Sequence, residues 1–324
     1  MKYVEIQTAT GTMHLSRIAY GSHHFGWLTD WENAQKLLNC YIDNGGNLLD
    51  TARCAEYHRS EEFIGEFFRR YPEKRKKVYI CTKWGNPIFN KEHTGVERFR
   101  FTHKDFENDL AESLRLLQTD YIDIYLLHKY SSDLDVEKII EMMNEPIKDG
   151  RVKHIGVSNW PVEAIQKANA YAEKRGLQKF EFSEISHSLY VGGTEGWGEV
   201  ELVHILQDEE MESYRKMGIT VLCFTAQGGG FFFKNFHIPI EDVVDKKNKP
   251  ENIQRLKRLR ILCEKKNLTP QQAVLGFFSG HDFPAIPIIT TKSTNHMADA
   301  LGAGNVLLSK GDILYLLGKG PLLE

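Results

Sequence analysis

The five cysteines of this chain (Cys40, Cys54, Cys81, Cys223 and Cys263) are widely spaced, odd in number and form no Cys-x-x-Cys pair. That pattern argues against a disulfide framework and for thiols kept reduced. No secretory signal pattern opens the chain, so the expected location is cytoplasmic. No apolar run approaches the roughly 20 residues needed to cross a bilayer. Low-complexity tracts and Pro/Gly/Ser linkers are also missing, so residues 1–324 are expected to form a single domain. Charge of one sign is not in excess either. The formal net charge is -3, which predicts neither a nucleic-acid partner nor an anionic membrane surface. Finally, no Gly-x-Gly-x-x-Gly follows the first apolar run, and GSHHFG (21–26) has the wrong spacing. An open dinucleotide-binding sheet is therefore disfavoured.

What the chain does contain is repetition. Its 324 residues are 41% hydrophobic and 26% charged. The first 15 read as a hairpin turning at Thr10-Gly11. Eight short apolar runs follow: 17–21, 47–51, 78–84, 121–128, 152–159, 180–188, 220–227 and 285–290. Amphipathic helical segments separate them, the first with Gly45-Gly46 as a sensible helix stop. Repeated strand-then-helix units imply a parallel sheet. Eight of them at this length fit a closed (β/α)8 TIM barrel, an α/β fold, preceded by a short N-terminal hairpin.

Such a barrel places its chemistry where the strands end. Those ends read Asp50, Lys83, His128, Ser158-Asn159, Glu184 to His187, Phe224-Thr225 and Thr290 to Lys292. Titratable side chains collect there rather than mid-strand. Lys83 is costly to hold charged after an apolar run without a carboxylate, and Asp50 can supply one. Such a pair lowers the pKa of a neighbouring phenol, which suits a proton donor to a developing alkoxide. Tyr57 lies in the loop after Asp50, and His128 can orient a carbonyl oxygen.

These residues and their order resemble the aldo-keto reductase family along nearly the whole chain. The stretches that carry the resemblance are GGNLLDTA (45–52), SEEFIG (60–65), TKWG (82–85), DYIDIYLLH (120–128), HIGVSNW (154–160), FTAQGGGFFFK (224–234), TPQQAVL (269–275) and IPIITTKSTNH (286–296). The resemblance implies hydride transfer between NADP(H), with NAD(H) the alternative, and a small aldehyde or ketone. It assigns Asp50, Lys83 and His128 to the catalytic set, with Tyr57 as the candidate phenol. It places Ser158, Asn159 and Glu184 at the nicotinamide carboxamide and Phe224 on the nicotinamide ring. Lys292, Ser293 and His296 fall where the 2′-phosphate is read. No metal is implied.

Three positions depart from the family pattern. The family's tyrosine position is Ala55, and Tyr57 comes two residues later. Glu184 stands where the family has Gln, which puts a carboxylate beside the nicotinamide and favours its oxidised, cationic form. Asp299-Ala300 replaces a Glu-Asn pair near the adenine. The Gly-rich stretch 190–201, carrying Trp197, is expected to cover the substrate, with Trp84 and Trp160 lining the same pocket. The expected substrate is a small polar carbonyl or alcohol, for example a sugar or polyol derivative. Two other readings follow from the departures: transient oxidation of a sugar by a held cofactor, for epimerisation or elimination, and a non-catalytic cofactor-sensing subunit.

Overall fold

The computed structural model describes residues 1–53, 59–89, 96–192, 206–245 and 249–322. In it the eight apolar runs become β1 (Ala19–Gly21), β2 (Leu48–Asp50), β3 (Tyr79–Trp84), β4 (Ile122–Leu127), β5 (Val152–Ser158), β6 (Phe182–Ser186), β7 (Thr220–Phe224) and β8 (Ala285–Ile289). All neighbours are parallel, and β8 pairs back onto β1 through Ile288 with Ala19 and Ile289 with Tyr20, closing the barrel. The helices around it include α1 (Trp31–Asp43), α2 (Ser60–Arg70), α3 (His103–Leu117), α4 (Val136–Met143), α5 (Val162–Arg175), α6 (Met211–Met217), α7 (Pro250–Lys266), α8 (Pro270–Gly276) and α9 (Thr294–Ala303). Local sequence sets their ends. Thr102 and Asp105 form a reciprocal capping box at the start of α3. Gly45, at φ 85°, makes the left-handed turn expected just after α1.

The pleat decides what faces the barrel axis. On β3, Cys81 joins the inner cluster while Ile80 and Trp84 join the layer under the helices. The same period of two places Leu48, Ile124, Leu126, Phe182, Leu222 and Ile286 inside. Carried one step further along each strand, it turns Asp50, Lys83 and Glu184 inward near the strand ends.

The opposite end is plugged. The antiparallel hairpin of Tyr3–Thr8 and Gly11–Ser16 buries Ile6, Met13 and Leu15 against the inner cluster. Two of its polar contacts go to strand beginnings. Ser16 N donates to Asn47 Oδ1 at 2.6 Å, and Ala9 N donates to Glu181 Oε1 at 2.5 Å. Among the described residues no helix is long and apolar enough to cross a membrane.

On the outer face of β6, His187 Nε2 lies 2.8 Å from His281 Nε2, among the rings of Phe277, Phe278 and Phe283. At that distance one neutral imidazole donates to the other. Burial, then the charges of His281 and Arg255, push His187 well below the ordinary histidine range, and burial brings His281 down to about 4. A depressed folded pKa gives stability that is present above the unfolded value of roughly 6.5 and is lost as pH falls below it. The melting temperature is therefore expected to drop between pH 6.5 and 4. His281→Asn should flatten that slope in thermal melts across the range; an unchanged slope would count against the pair as its source.

Candidate active site at the mouth of the barrel

The centre of the mouth is a buried cation. Lys83, only 3% exposed, donates from Nζ to Asp50 Oδ1 at 2.5 Å and to the Thr51 carbonyl at 2.9 Å. Glu184 Oε2 lies 2.9 Å from the same Nζ, an ion-pair distance. Burial alone would lower the lysine, but Asp50 and Glu184 outweigh it and hold Lys83 above its ordinary range. For Glu184, burial and the Asp50 charge push the carboxyl up to about 8, against the pull of Lys83. The trio sets two acids against one cation, so the ionised form of Glu184 is the one the site disfavours.

His128 follows β4, and its N–H donates to the Trp84 carbonyl at 2.9 Å. Burial, then the cations Lys129 and Lys83, press its ring well below the usual range, so it is neutral at physiological pH. Asn159, at φ 61°, holds the adjoining corner. Its N–H donates to the Glu184 carbonyl at 2.8 Å, and its Nδ2 donates to the His128 carbonyl at 3.2 Å and to Ser158 Oγ at 3.0 Å. Phe224, half-buried, ends β7. After β8, Ser293 caps α9 by accepting from His296 N at 3.4 Å, and Lys292 and His296 are exposed beside that helix start.

Some expectations are corrected. Trp84 and Trp160 are both fully buried and do not line the mouth. Trp84 points outward on the pleat and packs on Phe106, while Trp160 packs on Tyr130 and Phe180 and donates from Nε1 to the Lys129 carbonyl. Tyr57 and Trp197 lie outside the described residues. The contact between Glu184 and Lys83 was not anticipated, because nothing local relates a residue on β6 to one on β3.

Two further features escaped the sequence reading. The loop after β1 carries His23, His24 and the exposed Trp27, with ring centroids about 6 Å apart (5.8, 6.0 and 6.1 Å). Ser22 at its base donates to the Asp50 carbonyl, and the charge of His23 reaches His128. Two histidines and a tryptophan directly after a strand end were the available signal. The second feature is the buried Asp109, which binds Arg53 from the Asp50 loop, Arg100, and the Gly85 N–H just after Lys83. It fixes both segments that flank the cation.

A sequence model described as the Aldo/keto reductase family matches residues 17–317 of this barrel. The chain belongs to the aldo/keto reductase family. It is accordingly an oxidoreductase of the NAD(P)H-dependent kind. Among similar proteins, "Aldo-keto reductase ausK" of Aspergillus calidoustus is 25% identical over 90% of this chain and 73% of its own length. "Aldo-keto reductase yakc [NADP(+)]" of Schizosaccharomyces pombe is 25% identical over 87% of this chain and 81% of its own. "Aryl-alcohol dehydrogenase GME11368" of Pestalotiopsis microspora is 30% identical, but over 62% of this chain and 49% of its own.

The mouth of this aldo/keto reductase fits a nicotinamide cofactor on its own evidence. His128 Nδ1 is buried and has no hydrogen-bond partner among the described residues, as expected where a polar ring is received, and Glu184 lies beside Lys83 at the same mouth. Ser158 and Asn159 flank them, and Phe224 offers an aromatic face. Removing the central cation should expose the cost of this arrangement. Lys83→Met leaves Asp50 and Glu184 facing each other without it, and a loss of about 3–5 kcal/mol in urea unfolding is expected. Adding Glu184→Gln should restore part of that. A Lys83→Met chain as stable as wild type would show that the trio is not structural.

Proposed function

We propose that this chain reduces a small polar carbonyl compound with NADPH and oxidises the corresponding alcohol in reverse, with sugar or polyol derivatives as the substrate class. The observation that carries the reading is the meeting of Lys83, Asp50 and a neutral His128 with Ser158, Asn159 and Phe224 at one mouth. The NADP(+) in the name of the Schizosaccharomyces relative supports the cofactor. The free thiols of Cys40, Cys81, Cys223 and Cys263 support a reducing, cytoplasmic setting.

When bound, the nicotinamide dinucleotide supplies or takes up the hydride. The protein's own groups handle the oxygen and its proton. His128 orients the carbonyl oxygen with a neutral N–H donor, and Tyr57 donates the proton, its phenol acidified by the Lys83 ammonium. Asp50 keeps that ammonium in place. Lys292, Ser293 and His296 would read the 2′-phosphate, helped by backbone N–H groups at the start of α9. A second reading, transient oxidation of a sugar by a retained cofactor, draws support from the carboxyl of Glu184. An absorbance near 340 nm that co-purifies and is unchanged after turnover would favour it.

Fluorescence titration provides the first test. NADPH should bind more tightly than NADH, and Lys292→Ala should weaken NADPH about tenfold while leaving NADH unchanged, the loss of one charge-assisted contact. Equal weakening of both would remove the phosphate role. Tyr57→Phe should lower kcat by a hundredfold or more with a carbonyl and sugar panel. An unaltered kcat would take Tyr57 out of the mechanism.

A further inference from the structure

The cluster around Lys83 contains one acid more than it needs for neutrality. Asp50 comes from β2, Lys83 and the Cys81 thiol from β3, Glu184 from β6, and the Cys223 thiol of β7 lies within electrostatic reach of Glu184. The side-chain ligand atoms of Asp50, Cys81 and Glu184 all lie within 4.8 Å of one another. β5 presents Ser158, which is uncharged. Two of the three ammonium N–H donors of Lys83 are spent on Asp50 and Thr51. The third is all that remains for Glu184 Oε2, which lies 2.9 Å from Nζ at 5% exposure and shares the cation with Asp50. A buried carboxylate left in that state is expensive, whereas a carboxylic acid is not. Both acids ionised would leave the enclosed trio at a net charge of -1; one proton on Glu184 brings it to zero.

We propose that Glu184 is a proton store acting through Lys83: it keeps a proton while the cofactor is reduced and gives it up when positive charge arises in the mouth. The inference rests on the oxidoreductase reading above and makes Glu184 a positioning residue, not a catalytic one. The step balances. The hydride pair forms the new C–H bond, and the π pair of the carbonyl moves to oxygen. That oxygen takes a proton from the general acid of the reaction, and Glu184 makes the proton good through Lys83, its O–H pair staying behind as carboxylate. The new carboxylate offsets the positive charge of the oxidised nicotinamide, and solvent returns the proton after release. Burial and the Asp50 charge raise the carboxyl, and with two acids enclosed around one ammonium the neutral count keeps one proton in the store.

The test is proton release on cofactor binding, which needs no turnover. In lightly buffered solution at pH 7 with an indicator dye, wild type should release up to about one proton per NADP+ bound and almost none per NADPH. The Kd for NADP+ should tighten by up to about tenfold per pH unit between pH 6 and 7.5. Glu184→Gln should bind NADPH, release no proton with either dinucleotide and show a flat pH dependence. Glu184→Asp should restore a release. Equal release by wild type and Glu184→Gln, or a pH-independent NADP+ affinity in wild type, would overturn the proposal alone. Failure of wild type to bind either dinucleotide would overturn it together with the oxidoreductase reading.

Discussion

The structure depends on keeping one ammonium charged where water barely reaches. An unpaired cation as enclosed as Lys83 would cost several kcal/mol, so carboxylates must be brought to it, and brought accurately. Asp50 comes from the neighbouring strand. Glu184 comes from β6, three strands away around the barrel, and can reach Nζ only because the sheet closes on itself. Closure and electrostatics are therefore one constraint. The Asp109 hub serves it as well, since it ties the chain after Asp50 to the chain after Lys83.

Titratable groups occur at both ends of the barrel, so polarity alone does not mark the site. At the strand beginnings His154 and Glu181 pair at 2.7 Å. Thr10, Ala9 and Gln178 complete their bonds, beneath an apolar hairpin plug. At the mouth, by contrast, His128 Nδ1 is buried without a hydrogen-bond partner among the described residues, and two acids share one ammonium. The first arrangement is closed within the protein and holds structure. The second is open toward a polar guest, and that contrast separates a functional end from a structural one.

Much of this was legible from the chain because a parallel barrel imposes a period of two on each strand and a polar cluster where strands stop. All eight apolar runs became strands, trimmed by a few residues where the pleat gives way to turn. Asp50, Lys83 and His128 meet because each continues the inward face of its strand. The same parity argued against Trp84 as a pocket residue: it stands next to Lys83 and so faces the other way. Trp160, beyond the end of β5, had no parity to read. His187 with His281, Asp109 with Arg53, and Glu184 with Lys83 were not legible, since each joins segments far apart in sequence and only tertiary geometry pairs them.

Glu184 departs from the family pattern, and it does so in contact with Lys83. A buried ammonium with a single carboxylate is a closed, neutral pair, and any proton leaving it uncovers a charge. A second acid in contact changes that: the trio can hold one proton or lose it, and either state is tolerable when the charge in the mouth changes with it. A barrel carrying an amide at 184 would retain only the closed pair. The carboxyl at 184 adds a group that can exchange a proton with the cation, so one side chain on β6 changes the proton accounting of an ion pair built on β2 and β3.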